Sequence, residues 1–106
     1  MELTEETIRE LKSKYPGVDL HAVSVSGSTW VLRTPSAESW DAFQSEILRE
    51  KDRVSAMRNY VLDNIVWPAR ADVLAVFAKK PALPTTISTK LTELAGASDE
   101  LDVKKL

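Results

Sequence analysis

Punctuation constrains this chain more than any other feature. Proline or glycine stands at Pro16-Gly17, Gly27, Pro35, Pro68, Pro81, Pro84 and Gly96, and these account for every proline and glycine present. Proline removes a backbone donor and fixes its own φ, and it pushes the preceding residue out of the helical region. No regular element can run through these positions undisturbed. The chain is therefore divided into segments, most of them the length of one helix or one hairpin and the longest, between Pro35 and Pro68, the length of two helices.

The first segment predicts a helix over Glu5 to Lys14. Thr4 can cap it, and Glu5 and Glu6 fall in the first turn, where the helix dipole favours negative charge. Leu3 and Ile8 stand at the positions of a hydrophobic staple. Ile8, Leu11 and Tyr15 share a face, and Glu10 and Lys14 are spaced for an ion pair. Pro16-Gly17 stops the helix.

The second segment predicts a hairpin. With Gly27-Ser28 as a two-residue turn, and glycine at its first central position, Ser26 faces Thr29, Val25 faces Trp30 and Val23 faces Leu32. Ser24 and Val31 then point to the opposite side. Two strands are not stable alone, so the hairpin must pack on helices or pair with another chain.

A second helix opens after Thr34-Pro35-Ser36, capped by Thr34 or Ser36, with Trp40, Phe43 and Ile47 as its apolar stripe and Ala37 and Leu48 beside them. After the charged run Arg49–Arg53, a third helical stretch puts Val54, Met57, Val61 and Ile65 on one face, widened by Tyr60, Leu62 and Val66. The run leaves open whether the second and third helices are continuous. Trp67-Pro68 ends the third stretch. A fourth helix, about Ala69 to Lys80, carries Val73, Val76 and Phe77, with Leu74 flanking. A fifth, about Thr85 to Ala95, places Ile87, Leu91 and Leu94 together and closes at Gly96. The expected fold is α+β: an N-terminal helix and β-hairpin followed by a mostly α-helical part of about four further helices. Residues 1–96 are expected to form a single globular domain, with 97–106 a flexible polar tail.

Composition narrows the function. The chain has 106 residues, 43% hydrophobic and 28% charged, which is ordinary for one folded domain. It has no cysteine and one histidine, His21, so thiolate chemistry and transition-metal sites are disfavoured. His21 has no acidic or nucleophilic partner arranged around it in sequence and is expected to be structural. Asp99, Glu100 and Asp102 lack the spacing and the central glycine of a calcium loop. Ser24, Ser26 and Ser28 around Gly27 lie between two strands, whereas a nucleophile elbow needs a strand and a helix. No catalytic residue, cofactor or metal is expected, and the chain is not expected to be an enzyme.

Residues 1–53 carry a net charge of −3 and residues 54–106 a net charge of +1. Neither is the basic platform that phosphate neutralisation requires. The N-terminus is acidic where a secretory signal is basic, and no apolar run reaches the ~20 residues that span a bilayer. The expectation is a cytoplasmic protein without membrane contact.

Tyr60-Val61-Leu62-Asp63-Asn64-Ile65-Val66-Trp67-Pro68 is followed by Val73–Phe77, then Lys80-Pro81-Ala82-Leu83-Pro84, Thr85-Thr86-Ile87 and Leu91–Gly96. Upstream, Trp30–Arg33 leads through Thr34-Pro35 into an aromatic helix at Trp40. Over residues 29–96 this order resembles the small tail assembly chaperones of tailed bacteriophages and prophages. The resemblance implies a non-enzymatic protein of the bacterial host cytoplasm that binds the tape-measure protein and helps recruit tail-tube subunits. The alternatives are a small structural component of a phage tail, neck or baseplate, and a small helical regulator that binds nucleic acid through Arg58, Arg70, Lys79, Lys80 and Lys90. Interfaces are enriched in aromatic anchors, and the candidate contact residues are Trp40, Phe43, Trp67, Phe77 and Leu83. The hairpin's open edge also allows a homo-oligomer.

Overall fold

A computed structural model describes residues 2–25, 27–49, 53–96 and 105. The expected tail at 97–106 and the carboxylates Asp99, Glu100 and Asp102 fall outside the described residues, Lys105 excepted.

The chain forms α1 (Glu5–Lys14), β1 (Leu20–Val25), β2 (Ser28–Arg33), α2 (Ala37–Leu48), α3 (Arg53–Asn64), β3 (Ile65–Trp67), α4 (Arg70–Lys79) and α5 (Leu83–Leu94). This is the mixed α+β arrangement read from the sequence, with one additional strand. α1 has its expected bounds, and the Thr4 hydroxyl accepts from the Thr7 amide at 3.2 Å. The expected Glu10–Lys14 ion pair is not formed; the Lys14 ammonium lies 5.7 Å from the centroid of the Tyr15 ring instead. Ser36, not Thr34, caps α2, its hydroxyl accepting from the Ser39 amide at 3.1 Å. α2 stops at Leu48 with Arg49 as C-cap, so α2 and α3 are two helices. α5 begins at Leu83, two residues earlier than expected, because Pro84 suits the first turn of a helix, where its missing N–H costs nothing.

The hairpin departs from the expected register. Val23 pairs with Trp30, Ser24 with Thr29 and Val25 with Ser28, which places Gly27 between the two strands. Gly27 stands directly before Ser28 at φ +77°, in the left-handed region that glycine adopts without strain. Thr29 therefore faces Ser24; the Ser26 half of the expected Ser26–Thr29 pair lies outside the described residues. Because the displacement is two residues, each side chain keeps its expected face.

Ile65 and Val66 do not extend α3. They form β3 with Trp67, antiparallel to β2, with Leu32 opposite Ile65 and Val31 opposite Trp67. Both Ile65 and Val66 are β-branched, and Trp67 precedes proline, so the segment is locally biased to extended backbone. The sheet order is β1-β2-β3.

One face of the sheet carries Val23, Val25, Trp30 and Leu32 into the main core, where they meet Tyr60 and Val61 of α3, Val73 and Phe77 of α4, and Leu83, Ile87 and Leu91 of α5. The other face presents Leu20, Ala22 and Val31, which share a small cleft with Leu3, Ile8 and Leu11. Helical layers thus lie on both sides of the sheet. α2 contributes no fully buried residue: Trp40 and Phe43 are half-buried against the core, and Leu48 is 79% exposed. Val54, expected on the buried face of the third helix, is 59% exposed. Ala56, Tyr60, Val61 and Asn64 form that face.

Candidate partner-binding site

The five candidate contact residues do not form one patch. Phe77 and Leu83 belong to the core, each only 5% exposed. Truncating a buried residue of this kind costs about 2–5 kcal/mol of stability, so their energetic role is packing. Trp40 and Phe43 form an aromatic group with Tyr60. Phe43 stacks on Tyr60 with centroids 4.3 Å apart and planes at 4°, and Trp40 meets both edge-on at about 6 Å. This group fastens α2 to α3. Burial pushes the Tyr60 phenol up from 10.0 to about 12, and its oxygen has no hydrogen-bond partner among the described residues.

Trp67 is placed differently. It closes β3 at a cis peptide bond to Pro68, is half-buried, and lines a cleft of about 570 Å³. Four stretches of the chain line the cleft. The hairpin supplies Gly27, Ser28, Thr29 and Trp30; the β3–α4 corner supplies Trp67 and Pro68; and α4 supplies Asp72 and Val76. Glu2 and Leu3, just before α1, complete it. Its apolar lining centres on the half-buried Trp67 indole with Val76 and Leu3 beside it, while Trp30, 1% exposed, backs it from the core. Its charged groups are Glu2 and Asp72, and no basic residue lines it among the described residues. An apolar surface with two carboxylates favours a guest with an apolar anchor and neighbouring positive charge. The Trp30 indole N–H is buried without an acceptor among the described residues.

Of this cleft, only Trp67 was singled out as a contact residue from sequence. Asp72 and Val76 follow Trp67 one helical turn apart on α4, whereas Glu2, Leu3 and the hairpin residues are remote in sequence and only the tertiary fold brings them to the cleft. Leu48 and Val54 were also missed. Each looked like part of a buried stripe, yet both flank the α2–α3 connection as exposed apolar side chains.

His21 is half-buried on β1, with Nε2 2.8 Å from Thr34 Oγ1. This contact ties the base of the hairpin to the segment leading into α2. Asn64 organises a second polar junction and is fully buried. Its Oδ1 accepts from Arg33 Nε at 3.2 Å, while Nδ2 donates to Ser39 Oγ at 3.0 Å and to the Tyr60 carbonyl at 2.8 Å. Among the described residues, no three His, Asp or Glu side chains come together as a metal site, and no helix is long and apolar enough to cross a membrane.

No curated protein matches this chain. A solved structure, that of the uncharacterised protein rbstp2171 from Bacillus stearothermophilus, is similar with a TM-score of 0.73 at 23% sequence identity. The similarity spans 92% of this chain and 99% of that one, and shows a shared fold. A family model matches residues 11–104, nearly the whole chain, and on that match the chain belongs to the family described as a domain of unknown function, DUF6848.

Proposed function

We propose that this chain is a non-enzymatic assembly chaperone that binds an amphipathic helical segment of a partner protein through the Trp67 cleft. The observation that carries the reading is the half-buried Trp67 beside Pro68 and Val76, in an open cleft whose charged groups are both acidic. A helix of the partner would place an apolar side chain against the Trp67 indole, with lysine or arginine one turn away facing Glu2 and Asp72. The resemblance to phage tail assembly chaperones supplies the partner's identity. A tape-measure protein is long and helical, and before the tail tube covers it, it exposes apolar stripes. Many chaperone copies along one such target gain from multivalency. Recruitment of tail-tube subunits belongs to the same reading, as does action in the bacterial cytoplasm.

Co-expression with the long tail protein tests it. The long protein is expected in the soluble fraction only when this chain is present; equal solubility without it sinks the proposal. Recovery of this chain from purified particles would move it to the class of structural tail components. Trp67→Ala is the residue-level test. An anchor role predicts lost partner capture with a fall in melting temperature no larger than the roughly 6–15 °C that truncating a half-buried indole costs by packing alone, about 1.5–2.5 kcal/mol. Lost stability with retained capture would make Trp67 a plug for the β3–α4 corner.

A further inference from the structure

The two edges of the sheet are built differently. The β3 edge is three residues long, has a register irregularity opposite Val31 and Leu32, and is ended by Pro68. Short length, irregular pairing and proline are the usual devices that blunt an edge. The β1 edge has none of them. Its six residues, Leu20-His21-Ala22-Val23-Ser24-Val25, include no proline, lysine, arginine, aspartate or glutamate, and Ala22 and Ser24 are exposed.

The pairing pattern says which backbone groups that edge presents. The Thr34 amide donates to the Asp19 carbonyl at 3.0 Å, which makes Asp19 and Thr34 a hydrogen-bonded pair one step beyond the Leu20–Arg33 pair. Bonded and non-bonded pairs alternate in an antiparallel ladder. His21, Val23 and Val25 therefore turn their N–H and C=O groups toward β2. Leu20, Ala22 and Ser24 turn theirs outward, where the sheet has no further strand among the described residues. Outward backbone groups on an uncharged strand form a template for another strand.

We propose that β1 pairs antiparallel with β1 of a second copy, about a twofold axis at Ala22, joining two three-stranded sheets into one. Self-complementarity selects this occupant. In that register Ala22 faces its own copy and Leu20 faces Ser24, so all three outward-bonding residues of β1 find outward-bonding partners. Each such pair exchanges two N–H···O bonds. The smallest of the three side chains stands on the axis, and no like charges are brought together, because the strand carries no formal charge. On the opposite face His21 stands across from Val23. Isologous twofold contacts are the commonest route to a homo-oligomer. The proposal is independent of the chaperone reading, since the edge and the Trp67 cleft share no residue.

Sedimentation equilibrium of the full chain, up to hundreds of micromolar, is expected to show a concentration-dependent monomer–dimer equilibrium. Ala22→Pro removes an N–H that makes no bond to β2, and Ser24→Lys places a charge on the edge. Each is expected to weaken dimerisation at least about tenfold while the circular dichroism of the fold is retained. The chain has no cysteine, so Ala22→Cys provides a clean cross-linking test that does not depend on the proline variant folding. Bonded antiparallel pairs bring Cα atoms to about 5.5 Å, within disulfide range. Mild oxidation should therefore link Ala22→Cys into a dimer but leave Thr29→Cys, on the inner strand, monomeric. A wild-type chain that remains monomeric at hundreds of micromolar overturns the proposal and leaves the edge for an extended segment of another protein. A dimer that is insensitive to Ser24→Lys and not cross-linked through Ala22→Cys overturns it as well.

Discussion

Replacing Asn64 tests whether one buried side chain holds three elements in register. Asn64 sits at the end of α3, directly before β3, and is 0% exposed. Its amide reaches Arg33 at the end of β2, Ser39 in the first turn of α2 and the Tyr60 carbonyl one turn back. The two neutral bonds contribute about 1 kcal/mol each, and the bond from the Arg33 guanidinium about 1.5 kcal/mol, near the low end for a charged donor because Arg33 is only half-buried. Asn64→Ala is thus expected to cost about 3.5 kcal/mol. For a domain with roughly 5–15 kcal/mol in all, that is a large fraction. At this chain length it lowers the melting temperature by roughly 14 to 21 °C. Asn64→Asp keeps the shape but removes both amide protons and sets a carboxylate oxygen against the Tyr60 carbonyl. It is expected to be at least as damaging at neutral pH, although it leaves no cavity. Urea unfolding followed by tryptophan fluorescence measures both variants. A cycle with Arg33→Met should return a coupling of about 1–2 kcal/mol. If Asn64→Asp unfolds within about 0.5 kcal/mol of the wild type, donation by Nδ2 is not what fixes this corner, and the reasoning fails.

Three further outcomes follow from the same structure. Tyr60→Phe keeps the ring stack on Phe43 and removes a buried hydroxyl without a partner among the described residues, so it should be neutral or stabilising by up to about 1 kcal/mol. It should also remove part of the alkaline loss of stability. The folded phenol titrates at about 12 against 10.0 in the unfolded chain, so stability is full below pH 10 and falls as pH rises toward 12, which urea titrations across that window would detect. Ala69, the N-cap of α4, makes no side-chain cap bond; Ala69→Ser should stabilise by about 1 kcal/mol in thermal melts, and no gain would mean that the corner already satisfies the first amides of α4. Gly27→Ala meets no neighbour within 4 Å, so its cost of about 1–2 kcal/mol is purely the positive φ, and Gly27→Asn should cost clearly less; equal costs for the two would refute that account.

The bounds of α1 were legible because Thr4 and Pro16-Gly17 are local signals at both ends. The hairpin faces were legible from the alternation of Val23, Val25, Trp30 and Leu32. Its register was not, because Gly27 can occupy either central position of a turn, and the two placements differ by two residues and preserve every face. β3 was missed for a different reason. Ile65 continues the apolar spacing of Val54, Met57 and Val61, so periodicity favours helix. What overrides it is pairing with β2, more than thirty residues upstream. Leu48 and Val54 show the same limit from the other side: spacing places a residue on a stripe but does not say where the core beneath that stripe stops. At the cleft, Trp67 was marked by its own neighbour Pro68, whereas Asp72 and Glu2 gain meaning only through contacts that the fold makes. Asn64 read as an ordinary polar residue, since all that distinguishes it is the distant Arg33 and Ser39.

The two faces of the sheet are not energetically equivalent. Leu11 and Val31 are both buried, yet neither joins the cluster built around Trp30, Leu32 and α3, α4 and α5. They belong to a small satellite patch between α1 and the sheet, and the family match itself begins only at residue 11, inside the last part of α1. Lifting α1 away breaks that patch and leaves the main core closed. The free energy of this partial opening is therefore lower than that of global unfolding, and α1 amides are the ones to exchange through it. In that opened form the molecule bares a second apolar surface, Leu20 and Val31 beside the already exposed Ala22, on a sheet still backed by the main core. The first helix is in this sense a cover with its own stability, set by a handful of side chains.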